Sequence, residues 1–273
     1  IASLVASICS SPGKEPPLWS VDANLRPEGR DGALVRTIDS YRAYWDRWAQ
    51  NWEFQALLKA RPCAGDMEVG ARFLEYAAPF IWEASARPGF VDDVRSMRAQ
   101  VENSVPPKVR DSELKLGVGG LRDIEFSIQF LQLVHGRNDI QIRQRSTLGA
   151  LEALSARGYI ARADAANLRE AYAFLRILEH RSQLLRMHRT HTLPSGLRQL
   201  ERLLRSLHGT PATVEQLHEQ LRALRLQVRE LHHSVFFRPI IAASARLDED
   251  LIHLDDEAAM DRLRAIGYLD PRS

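Results

Sequence analysis

A chain of 273 residues is long enough for one large domain or two ordinary ones with a sizeable core. Its 37 Lys and Arg against 35 Asp and Glu leave a net charge of +2, which argues against a general nucleic-acid or anionic-membrane binder. No apolar run approaches the roughly 18 residues of a membrane span, no signal peptide is visible, and Cys9 and Cys63 lack metal-type spacing, so a cytoplasmic protein is expected.

Residues 1–8 read as the tail of a helix, and a first residue of Ile rather than Met marks a piece of a longer chain. After a loop at 10–17, Trp19, Val21, Ala23 and Leu25 alternate with Ser20, Asp22, Asn24 and Arg26, the period of a half-buried strand. A turn at 27–32 and a second short strand at 33–37 complete a predicted β-hairpin, the only sheet signal in the chain. An isolated hairpin is marginal in water, so it must lean on helices or on strands elsewhere. From Asp39 the period becomes helical: Tyr41, Trp45, Trp48 and Trp52 step by four, three and four, an aromatic core stripe. Lys59 and Arg61 close this helix before Pro62, where they either complement its dipole or reach a phosphate.

Beyond Asp66 the pattern stays helical to residue 238. Phe90, Val94, Met97 and Val101 form one stripe, and Leu148, Leu151 and Leu154 another between Ser146 and Gly158. A long helix from Asp164 buries Leu168, Tyr172, Leu175, Leu178, Ser182 and Leu185, and Leu197, Leu200, Leu203 and Leu207 mark the next. The last stripe, from Val214 through Leu217, Leu221, Leu224, Val228 and Leu231 to Val235, has the three-four spacing of a packed bundle. Residues 239–273 read as a linker and one short amphipathic helix at 255–266, closed by Gly267.

Chemistry concentrates at 114–126. Gly117, Gly119 and Gly120 lead into a helix that is apolar almost all round, yet Arg122, Glu125, Gln129 and Gln132 step along one face of it. A polar stripe on a buried helix must face a partner or a cleft. Glycine N–H groups at the positive end of a helix suit an anion; the alternative is a tight turn beside a buried Arg122–Glu125 pair. His180, His188, His191, His232 and His233 have no carboxylate or cysteine at ligand spacing, so no zinc site is expected, and no Gly-x-Ser-x-Gly points to acyl transfer. Asp22 is a lone carboxylate. It is either one ligand of a metal site completed elsewhere or the ion-pair partner of Arg26 or Arg36, because two-metal phosphoryl chemistry needs several oxygen ligands.

Four blocks in one order, at 21–29, 52–62, 114–126 and 174–181 with 190–194, resemble glutamine synthetase adenylyltransferase, the bifunctional enzyme that adds and removes AMP on glutamine synthetase. The arginine-rich bundle resembles actinobacterial versions, and Arg122-Asp123 after the glycines resembles the deadenylylating unit. The resemblance implies a mainly α fold: the end of a nucleotidyltransferase α/β domain at 1–66 (hairpin remnant plus helix), a helical bundle at 67–238, and a linker with the first helix of a following region at 239–273. It implies magnesium-dependent removal of AMP by phosphorolysis, with a related uridylyltransferase, the ATP-using adenylylating half, or a non-catalytic docking module as alternatives. Asp22 would be a magnesium ligand. Arg26, Lys59 and Arg61 would neutralise phosphate, Gly119, Gly120 and Arg122 would close the nucleotide site, and Glu125, Gln129, Glu179 and His180 would meet the catalytic unit. Implied partners are glutamine synthetase, a PII-type signalling protein, ADP or ATP, and phosphate. The chain departs from the family in lacking its Gly-Ser loop and Asp-x-Asp pair, so the fragment alone is expected to be inactive.

Overall fold

One helix, α6 (Leu121–His135), runs through the middle of the molecule and explains its own composition. A computed structural model describes residues 1–11, 21–207 and 211–247, with the side chains of the last helix as far as Ser234. On one side of α6, Phe126, Phe130 and Leu133 join Trp45, Phe54, Ala77, Ile81, Phe90 and Val94 in a first core. On the other, Leu121, Ile124, Ile128 and Leu131 join Leu151, Leu154, Leu168, Leu175, Leu217 and Val228 in a second. A helix between two cores must be apolar on two faces, which leaves only a narrow strip for polar side chains.

The first core is built by α2 (Ile38–Arg47), α3 (Asn51–Leu57), α4 (Met67–Trp82) and α5 (Phe90–Asn103). Trp45, Ala49, Phe54 and Leu58 pack with Ala77 and Ile81, so helices on both sides of residue 66 share one core. The second is built by α7 (Thr147–Ala156), α8 (Arg162–Arg186), α9 (Leu197–Arg205) and α10 (Val214–Leu247). Their starts and stops follow local chemistry. Ser146 Oγ accepts the Gly149 N–H at 3.0 Å, Asp66 caps α4 through the N–H groups of Glu68 and Val69, and Gly158 sits at φ +79° just past α7.

The mainly α expectation holds, but the hairpin does not form. Among the described residues there is no strand, only a single bridge between Glu113 and Thr192. Residues 21–37 form turns and a 3₁₀ turn at Gly29–Asp31, and the Trp19 end of the expected strand lies outside the described residues. The alternation at 21–26 has no second strand to satisfy its backbone. Instead the Arg26 guanidinium donates to the carbonyls of Ala23, Arg30 and Gly32 at 2.6, 2.9 and 2.8 Å, folding the segment around itself.

The single aromatic helix expected from Asp39 is two. The break at 48–50 is stabilised by a capping box in which the Glu53 carboxylate accepts the Gln50 N–H at 2.9 Å and the Tyr44 hydroxyl at 3.0 Å. The break shifts the phase of the stripe: Trp45 is buried, Trp52 half-buried and Trp48 69% exposed. Helical pattern also fails at 104–120, a long loop. At the other end α10 continues through Pro239 to Leu247, past the linker expected from 239, and the expected helix at 255–266 lies outside the described residues. Ahead of everything, α1 (Ala2–Ser10) forms as expected and buries none of its residues.

Candidate functional site

The polar strip of α6 meets groups from α3, α8 and the loop before α6. Gln129 accepts from Gln55 Nε2 at 2.9 Å, and Gln132 Nε2 donates to the carbonyls of Ile142 and Gln144, both at 2.8 Å. One turn earlier, Glu125 is the centre of a charge cluster. Arg176 of α8 reaches its Oε1 at 2.8 Å, Arg122 its Oε2 at 3.4 Å, and Lys59, just past α3, lies 3.9 Å away. Arg176 also holds Glu179 at 2.7 Å, and His191 Nδ1 takes the other oxygen of Glu179 at 2.7 Å. Lys59 Nζ donates to Thr147 Oγ1 at 2.8 Å, and the Tyr172 hydroxyl accepts from Arg176 Nε at 3.0 Å.

The loop explains how His191 and Lys115 arrive. Leu114 N–H donates to the His191 carbonyl at 2.7 Å and Leu193 N–H to the Ser112 carbonyl at 2.9 Å, so the two segments bridge beside the glycine turn. The Glu113 carboxylate then accepts the N–H groups of Lys115 and Leu116, fixing the backbone from which the Lys115 side chain leaves.

Depth separates the charges. Glu125 and Glu179 side chains are 5% and 2% exposed, whereas Lys59, Arg122 and Arg176 keep 41%, 32% and 27% of theirs open. Four cations, counting Lys115, thus stand over two buried carboxylates. Burial pushes the Lys59 ammonium below its usual pKa, helped by Arg176 and Arg122 and opposed by Glu125; Lys115 is lowered for the same reasons. Burial would raise the Glu179 carboxyl, but hydrogen bonds from His191 and Arg176 outweigh it and hold the group at about 2. Arg122 is loosely held: its guanidinium leans on the Phe126 ring, 5.5 Å from the centroid, and its buried Nε has no acceptor among the described residues. Such a surface has unused positive charge and unused donors, which suits a phosphate-like anion.

The glycine turn plays a different part. From Gly119 to Asp123 every N–H already has an acceptor: the Asp123 carboxylate, then the carbonyls of Gly117, Leu114, Lys115 and Gly120. Gly119, at φ +67°, lies against the backbone of Arg225 in α10, and a Cβ on Gly120 would crowd three carbonyls of the loop. The side chains around the turn therefore supply the positive charge. Beneath it, Asp123 pairs with Arg98 of α5, 2% and 5% exposed, and His232 of α10 bonds Ser127 Oγ at 2.8 Å; burial lowers His232 to about 4.

Of the residues expected from sequence, Lys59, Arg122, Glu125 and Glu179 come together, and Gln129 adjoins them. Asp22 is exposed, its Oδ1 accepting the Asn24 N–H at 2.9 Å rather than pairing with Arg26; Arg36 pairs instead with Glu28. Arg61 is exposed, as is His180 on α8, and no hydrogen bond or ion pair among the described residues joins Asp22, Arg26, Arg61 or His180 to the cluster. No group of three His, Cys, Asp or Glu able to hold a metal occurs among the described residues. Lys115, Thr147 and Arg176 have no site role in the sequence reading, Tyr172 appears there only as a core residue and His191 only as a histidine without zinc-ligand spacing, although Lys115, Arg176 and His191 lie inside the blocks that carry the resemblance. No described helix is long and apolar enough to cross a membrane.

Comparison with known proteins gives this geometry a family. Residues 1–76 match the family model described as glutamate-ammonia ligase adenylyltransferase, and 95–236 match that described as GlnD PII-uridylyltransferase. Bifunctional glutamine synthetase adenylyltransferase/adenylyl-removing enzymes of Streptomyces avermitilis and Streptomyces coelicolor are 49% and 50% identical over 271 residues. In each case the match covers 99% of this chain and 27% of the relative. That of Corynebacterium efficiens is 48% identical over 276 residues, covering 99% and 26%. The chain thus spans about a quarter of the length of these actinobacterial relatives. Matched over nearly its whole length at about half identity, the chain belongs to the glutamine synthetase adenylyltransferase family of nucleotidyltransferases.

Proposed function

We propose that this chain holds phosphate for the removal of AMP from adenylylated glutamine synthetase, a step in the control of nitrogen assimilation. The observation that carries this is the set of four partly open cations, Lys59, Lys115, Arg122 and Arg176, over the buried carboxylates of Glu125 and Glu179. In phosphorolysis a phosphate oxygen attacks the phosphorus of the AMP–protein phosphodiester, the bond to the protein oxygen breaks, and ADP leaves. Fixed cations offset the charge on the transferred group without having to reorganise. Arg61, two residues beyond Lys59, extends this charge; Gly119 and Gly120 shape the turn that presents Lys115 and Arg122. Arg26 holds the loop that carries Asp22. Of the residues implied to meet the catalytic unit, Gln129 bonds Gln55 of the 1–66 segment, Glu125 and Glu179 lie buried under the cations, and His180 alone is exposed.

The names of the relatives cover both addition and removal of AMP. Removal is the direction taken here because the excess positive charge of the cluster suits a phosphate and because Arg122-Asp123 after the glycines resembles the deadenylylating unit. A PII-type signalling protein is the regulatory partner implied, in line with the uridylyltransferase description matched by 95–236. Magnesium would find one carboxylate here, Asp22, and no convergent ligand set among the described residues, so no step is routed through it.

Lys59→Ala tests the proposal, since its Nζ has one close hydrogen bond, to Thr147, and its side chain is 41% open. In the full-length protein the KM for phosphate should rise on the order of tenfold, about 1.4 kcal/mol, with little change in melting temperature. An unchanged phosphate dependence of ADP release would remove the cluster from the site. In the same assay the 273 residues alone are expected to release no ADP.

A further inference from the structure

Away from the Lys59 cluster, α5 and α10 leave a groove between them. It consists of two cavities of about 260 and 390 Å³ that share Glu102, Val118 and Arg229 as lining residues. On α10, Arg222, Arg225 and Arg229 step by three and four, a stripe flanking the apolar seam of Leu217, Leu221 and Val228. Arginines beside a core seam are ordinary on a solvated helix. Here, however, they line the same groove as Arg95 and Arg98 of α5 and Arg110 of the following loop.

The charges do not balance within the groove. Arg98 is taken by Asp123, with Glu102 at 3.7 Å, and Arg95 lies 3.8 Å from Asp92. Arg225 donates to the carbonyls of Arg110, Asp111 and Glu113, which ties α10 to the loop and leaves its full charge in place. Burial lowers its pKa, with Asp111 and Glu113 opposing. Arg110, Arg222 and Arg229 are exposed and have no ion-pair partner among the described residues. Cations gathered this closely repel one another unless an anion lies between them. The lining also includes apolar groups, among them Ala99, Val105, Val118 and Leu226, and Leu226 is 62% exposed.

We propose that the groove between α5 and α10 binds a small phosphorylated molecule, its phosphates on Arg110, Arg222 and Arg229 and its apolar part against Val118 and Leu226. The planar guanidinium fork matches phosphate oxygens two at a time, and the six arginines of the groove outnumber its carboxylates, Glu102, Asp111 and Asp123. A cavity pair of this size is in the range of small-ligand sites, roughly 300–1,000 Å³. Two phosphates can be held apart, one in each cavity, with Arg229 common to both. This site is separate from the Lys59 cluster and does not rest on the function assigned to it.

Calorimetric titration of ADP and of pyrophosphate into the chain tests the proposal, with citrate and an oligoglutamate peptide as competitors for the same charge. The double variant Arg222→Ala/Arg229→Ala removes two exposed side chains and should keep the parent melting temperature. One binding event should weaken on the order of tenfold or more in that variant and survive unchanged in Lys59→Ala. If ADP and pyrophosphate bind the double variant as they bind the parent, or fail to bind the parent at all, the proposal is wrong. It is equally wrong if citrate or oligoglutamate binds more tightly than both, which would make the groove a carboxylate or acidic-peptide site. A Lys59→Ala result that leaves every event untouched would count against the phosphate cluster and leave the groove standing.

Discussion

At Glu179 a single carboxylate has two bonded partners, and its protonation couples to stability. It is 2% exposed, bonded by Arg176 and His191, and held at about 2 against a usual value of 4.5. A lowered folded pKa means that the unfolded chain takes up the proton first as the solution is acidified. The stabilisation is therefore complete above about pH 4.5 and is lost as pH falls through about 2, amounting to at most about 3 kcal/mol. Glu179→Gln should be less stable at pH 7, by about 3–5 kcal/mol if the broken pair behaves as other buried pairs do. Its stability should also fall less steeply between pH 4.5 and 2 than that of the parent. Urea melts of both chains across that range decide it, and parallel curves would show that Glu179 is not the titrating group.

At the scale of elements, the contact between α6 and α10 depends on a glycine. Gly119 combines φ +67° with a position where any Cβ would run into the Arg225 backbone, whereas Gly158, at φ +79°, faces open space. Gly158→Ala should cost about 1 kcal/mol, the strain of a left-handed residue alone. Gly119→Ala adds a collision with main chain, which has no rotamer to give way, and should cost more than 3 kcal/mol by pushing α10 off α6. Chemical denaturation of the two variants side by side checks this; equal losses would mean that α10 does not seat as closely as the structure has it. The Arg98–Asp123 pair and His232, which join α5, α6 and α10 just below, would be displaced with it.

For the whole molecule, the sharing of α6 makes two cores behave as one. Trp45 is buried in the first core and Trp82 packs against it, so tryptophan fluorescence largely reports that side, while the second core is read by far-ultraviolet circular dichroism along with the rest. Leu151 is fully buried in the second core. Leu151→Ala should lower stability by about 2–5 kcal/mol and shift the fluorescence midpoint as far as the dichroism midpoint. A fluorescence transition that stays in place would show two independent units.

Much of the architecture was legible because it is written in local terms. Period and caps placed α7, α8, α9 and the seam of α10, and an apolar run interrupted by Arg122, Glu125, Gln129 and Gln132 marked α6 as buried with one polar strip. The same kind of reasoning misled at 21–26, where period two suggested a strand; alternation describes a pleat only when a neighbouring strand takes the hydrogen bonds, and here Arg26 takes the carbonyls instead. It also missed the break at 48–50, where Glu53 caps a second helix that the aromatic spacing ran straight through. The cluster itself was half visible: Lys59, Arg122 and Glu125 stood out by charge on buried or turning segments, and Glu179 entered through the family resemblance. Arg176 and His191 did not stand out, because residues 51 positions from Glu125, or 12 from Glu179, become neighbours only when α8 crosses α6 and the 191–193 segment bridges the glycine loop. Lys115, near Glu125 in sequence, is aimed at it only by the loop backbone that Glu113 fixes. Sequence alone thus determined most of the helices and most of their buried faces, though not the division of α2 from α3 that leaves Trp48 exposed. Which charges meet across those faces was decided by tertiary packing, since electrostatic pairing depends on distance in space and the chain records only distance along itself.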